Sequence, residues 1–183
     1  VVSFGNSEAL GLFAIAVMVE NAMKMISQSM GSVLYPTMTQ AWSNEKKVGT
    51  LIKLAMKPFI LSALLLGVAA VAGWFILPDF IEYFLPKYSE GIKAAQWMLI
   101  AGFFRAFNVF SNIYNVIKQQ SIRLQVYLSG IFTWFIVVIL LVHFKGFSLV
   151  IFPQGMVAGF IVMTILNVYQ DRKSTRLNSS HYS

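Results

Sequence analysis

Four polar side chains, Glu20, Asn21, Lys24 and Gln28, interrupt the middle of an apolar run that is otherwise long enough to cross a bilayer. On a helix, Glu20, Lys24 and Gln28 fall on one face, one turn apart. A charge at the bilayer centre costs roughly 2.5–3.5 kcal/mol on the lenient insertion scale, so two of them in one span must face a partner helix or water. The rest of the chain therefore has to supply a bundle with a polar interior.

Composition places that bundle in a membrane. Of 183 residues, 57% are hydrophobic, 15% aromatic and only 11% charged. The mean hydropathy is +0.69, too apolar for an ordinary soluble domain. The prediction is an all-α, polytopic transmembrane helix bundle. There is no Cys, and His143 and His181 are the only imidazoles, so disulfides, thiol chemistry and a zinc or haem ligand set are excluded. No catalytic residue, metal or cofactor is expected. Because the chain opens at Val1 without Met, it reads as an internal fragment.

Five spans are expected, over about 8–35, 58–77, 92–116, 124–142 and 147–169. Gly5-Asn6-Ser7 signals the first start and Pro36 the first stop. The second span carries Gly67, Ala69, Ala70 and Gly73, a face that a neighbouring helix can approach closely, with Trp74 near its end as an interfacial anchor. The third span is the second polar anomaly. Arg105, Asn108, Asn112 and Asn115 recur at spacings of three, four and three, a polar stripe along one face of an otherwise apolar helix. In the last span Gly155 and Gly159 have the spacing of close helix pairs.

The lysines and arginines orient the spans. Lys46, Lys47, Lys53 and Lys57 follow the first span, and Lys118 and Arg123 follow the third. The alternate loops hold only Lys87, Lys93 and Lys145. The richer set is cytoplasmic, which puts residue 1 outside and residue 170 inside. The net charge of +7 thus belongs to loops and to the C-terminal tail rather than to a nucleic-acid surface.

That tail, residues 171–183, breaks sharply with what precedes it, and its string Asp171-Arg-Lys-Ser-Thr-Arg-Leu-Asn-Ser-Ser-His181 resembles the translation of a common sequencing adapter. It is read as an artefactual or disordered tail, against the alternative of a basic cytoplasmic anchor. Residues 1–170 form the transmembrane unit.

The run Ala9-Leu-Gly-Leu-Phe-Ala-Ile-Ala16, followed by Ser32-Val-Leu-Tyr-Pro36, resembles a segment of bacterial polysaccharide and O-antigen flippases, within the multidrug/oligosaccharidyl-lipid/polysaccharide exporter superfamily. The similarity covers about residues 4–170 in order and spacing. It departs in the last span, where Phe144-Lys-Gly146 and Pro153-Gln-Gly155 split features that similar proteins keep together. The resemblance implies a two-lobe protein of twelve or fourteen helices in the bacterial inner membrane, of which this chain is most of the second lobe. Its partners would be the lipid bilayer, the missing N-terminal lobe and a polyprenyl-diphosphate-linked oligosaccharide. The implied activity is translocation of that lipid-linked oligosaccharide by alternating access, without covalent chemistry.

In such flippases the cavity between lobes is cationic. The resemblance then implies that Lys24 and Arg105 supply positive field for phosphates and that Asn108, Asn112 and Asn115 meet sugar hydroxyls. Glu20 is either an ion-pair partner, of Lys24 or Arg105, or a site for a coupling proton or sodium ion. The alternatives are a cation-coupled multidrug exporter of the same superfamily, whose cavity would be more acidic or aromatic, and a fragment of a membrane-embedded glycosyl- or acyltransferase. For the latter, Asp79, Glu82 and Glu90 are the candidate acids, and they have no partner histidine. A non-catalytic scaffold would not need charges at mid-span.

The absence of native Cys makes orientation directly testable. Lys47→Cys is expected to react with a membrane-impermeant maleimide only from the cytoplasmic side and Lys145→Cys only from outside; the reversed pattern would refute the orientation.

Overall fold

A computed structural model describes residues 7–179 of the chain, with side chains described for 11–170 except that of Asn108. Among the described residues the secondary structure is entirely helical: α1 (Ser7–Glu45), α2 (Val48–Phe84), a 3-10 turn (Pro86–Gly91), α3 (Ile92–Phe104), a second 3-10 turn (Arg105–Phe107), α4 (Asn108–Val116), α5 (Gln120–Lys145) and α6 (Ile151–Ser179). The protein is an all-α bundle of five rods, the third of which is α3 and α4 joined through the short turn. Among the described residues three helices, α2, α5 and residues 151–170 of α6, are long and apolar enough to cross a membrane.

Three prolines that read as boundaries lie inside helices. α1 runs through Pro36, and α2 starts ten residues before Pro58 and continues past Pro78. A helix in lipid tolerates proline where the freed carbonyl finds another donor or a water-accessible space. The Ser32 carbonyl, which loses its partner to Pro36, belongs to a residue lining a polar cavity. At 39 and 37 residues, α1 and α2 are each roughly 55 Å long and outreach the ~30 Å hydrocarbon core.

α3 is the central element. It buries Ala94, Ala95, Met98, Leu99, Ala101 and Gly102 along one broad face, and packs against α1, α2 and α6. Its small residues let the neighbours come close, the van der Waals packing that drives helix association in lipid. By contrast α2 turns Ile60, Leu64, Val68, Val71 and Phe75 outward, and α5 turns out Leu124, Leu128, Phe132, Phe135 and Ile139. Only 11% of the most apolar window of either helix is buried in the bundle, against 39% in α6. Water does not tolerate continuous apolar faces of that extent, so α2 and α5 face lipid and α6 sits partly inside.

α5 and α6 form the closest antiparallel pair. A Cβ at Gly159 would stand 2.7 Å from the Gly130 carbonyl oxygen, a backbone atom that cannot rotate away. Gly159→Ala is therefore expected to cost about 1–3 kcal/mol through overpacking. Gly49→Ala, where a Cβ meets nothing within 4 Å, should instead stabilise by about 0.5 kcal/mol. Thermal unfolding of the two variants in detergent distinguishes them, and equal melting temperatures would contradict the packing described.

Candidate functional site: a cationic cavity beside a buried ion pair

The site is built around Arg105, at the joint between α3 and α4. Its guanidinium Nη2 donates to Glu20 Oε1 of α1, and the two side chains are only 16% and 13% exposed. One turn away on each helix, α1 and α3 touch most closely: a Cβ at Gly102 would fall 2.6 Å from Met23 Cβ. That approach, possible only with glycine, brings α1 near enough for Glu20 to reach the arginine. The chain tightens into a 3-10 turn at Arg105–Phe107, and Ser27 Oγ of α1 donates to the Arg105 carbonyl at 2.8 Å, an external donor for a backbone acceptor at the tightened turn. On its other side the guanidinium lies over the Phe160 ring of α6, 5.2 Å from the centroid. Arg105 thereby ties three rods together.

Glu20 thus pairs across helices with Arg105 rather than along α1 with Lys24, and Lys24 makes no ion pair among the described residues. Arg105 keeps spare capacity, since its buried Nε has no hydrogen-bond partner among the described residues.

Next to the pair opens a cavity of about 620 Å³ between α1, α4 and α5. Lys24, Arg105, Asn112 and Asn115, four of the residues expected from sequence, line it together. The side chain of Asn108 lies outside the described residues. Asn115 is already engaged, because its Oδ1 accepts from Arg123 Nη1. Asn112 faces Gly31 across the α1–α4 seam, where a Cβ would stand 3.2 Å from its Nδ2.

Sequence reading missed half of the wall. Arg123 and Tyr127 enter from α5, with the Arg123 guanidinium 5.3 Å from the Tyr127 ring centroid, and Ser27, Ser32 and Tyr35 enter from α1. Arg123 had the look of a loop cation that sets topology. The available signal was the four-residue spacing of Arg123 and Tyr127 at the head of an apolar helix. The described lining holds three cations and no carboxylate; Glu20 lies behind Arg105. Such a wall attracts anions and offers amides and hydroxyls around them. Among the described residues there is no cluster of His, Asp or Glu able to hold a metal.

No protein-family model, curated protein or solved structure matches this chain.

The buried pair has a measurable signature. Glu20→Ala is expected to cost about 3–5 kcal/mol, because it strands a buried guanidinium. Glu20→Leu combined with Arg105→Met should cost less than that single change. Chemical unfolding in detergent reads both, and a double variant that loses more than Glu20→Ala alone would show that the two side chains do not depend on each other.

Proposed function

We propose that the chain is the substrate-facing part of a membrane transporter that moves a phosphate-bearing, lipid-linked oligosaccharide across the bacterial inner membrane. The observation that carries this reading is the cavity wall: Lys24, Arg105 and Arg123 with no described carboxylate, set among helices whose outer faces are apolar. A charge in such a setting is costly unless it is used, and paired phosphates repay three cations with charge-assisted hydrogen bonds. Arg105 is paired with Glu20, so Lys24 and Arg123 carry most of the net field. Arg105 adds a planar donor edge that a lysine lacks. Asn112, Gln28 and Ser32 supply neutral groups for the hydroxyls that follow the phosphates.

Movement by alternating access needs a site that opens to one side at a time, and α1, whose Gln28, Ser32 and Tyr35 border the cavity, is the wall that a facing lobe would cover. A drug exporter coupled through an acidic residue fits less well, since Glu20 is occupied by Arg105. No covalent step is assigned.

Inorganic pyrophosphate is a soluble probe for the cavity. Titrated into the full chain in phosphatidylcholine nanodiscs, it is expected to bind, and Lys24→Gln or Arg123→Gln should each weaken it about tenfold, the loss of one charge-assisted contact. Unchanged affinity in the double variant would overturn the proposal.

A further inference from the structure

We infer that the groove between α5 and α6 seats a hydrocarbon chain of the same amphiphile whose phosphate head enters the polar cavity. The inference rests on the phosphate-binding role proposed for that cavity. Arg123, Tyr127, Gly130 and Trp134 follow one another at spacings of four, three and four, so they lie along one face of α5. The first two line the polar cavity; the last two line an apolar groove of about 340 Å³. The walls are joined a second time through α6, because Phe160 lines the groove and carries the Arg105 guanidinium on its ring. Over two helical turns of α5, from Arg123 past Tyr127 to Gly130, the surface changes from cationic to wholly apolar. A phosphate-headed lipid needs that change, with hydrocarbon beginning directly beside the charge.

The floor of the groove exists because Gly130 and Gly159 put backbone against backbone and project nothing into it. Its flanks are Ile131, Trp134 and Met163. Trp134 spends its indole N–H on the Phe152 carbonyl, at 3.2 Å, and so presents only ring to the groove. Bilayer tails are as apolar as these side chains, so a chain gains little transfer free energy by leaving the bilayer for the groove. Retention must come from the head, with the groove giving register. An anionic lipid is therefore held there and a neutral one of the same chain exchanges freely.

The full chain in phosphatidylcholine nanodiscs, doped with a diazirine-tailed phosphatidate, tests this by photolabelling and peptide mapping. Labels are expected at Ile131, Trp134 or Met163, about tenfold above those from a diazirine-tailed diacylglycerol. They should fall when excess pyrophosphate occupies the cavity. Ile131→Trp, which fills the groove from its open side, should abolish groove labelling and leave pyrophosphate affinity unchanged. Equal labelling by the two lipids, or labels spread equally over the outer face of α2 at Leu64 and Val68, would overturn the groove assignment alone if pyrophosphate still binds. If pyrophosphate does not bind, the cavity's phosphate role falls and the groove assignment falls with it.

Discussion

A carboxylate and a guanidinium that satisfy each other inside an apolar bundle set the terms for everything around them. Neither Glu20 nor Arg105 is tolerable alone inside an apolar bundle, and each makes the other tolerable only if α1 and α3 approach to the distance that Gly102 and Met23 permit. The cost extends into the backbone. The chain tightens at Arg105–Phe107, and Ser27 supplies a donor to the Arg105 carbonyl there. Phe160 closes the arrangement from α6, so the first, third and last rods are fixed by one side chain.

Once that pair is formed, the remaining charges acquire meaning. Lys24, one turn from Glu20, loses the nearest possible partner to Arg105 and is left facing the cavity, while Arg123 is anchored by Asn115 and Tyr127. The bundle thus neutralises what binds its helices together and leaves unneutralised what borders open space. α5 is the boundary between regimes. One of its faces runs from cation to apolar groove, and another exposes Leu124, Leu128, Phe132 and Phe135 to lipid.

Much of this was legible in the sequence, and the limits have physical causes. Apolar runs of spanning length placed the rods, because satisfying backbone hydrogen bonds in lipid leaves a single chain little choice but helix. Pro36, Pro58 and Pro78 misplaced the ends, since a rule learned from water, where proline stops helices, weakens where neighbours and cavities can serve the freed carbonyls. The stripe of Arg105, Asn112 and Asn115 was visible as a period and did converge on one cavity, although the helix that carries it is broken at its first member. Arg123 stayed hidden because it stands at a helix start, where a basic residue has a sufficient explanation in membrane topology.

The sequence by itself determined the solvent, the helical class, and the need for a partner at Glu20, because the transfer cost of each side chain and each peptide group is local and can be summed along the chain. It left open who that partner is. Lys24 lies one turn away and Arg105 lies 85 residues away, and spacing alone favours the nearer. Only the packed bundle decides for Arg105, through the width of a glycine at position 102. Which cations remain unpaired, and so the sign and contents of the cavity, follows from that long-range choice.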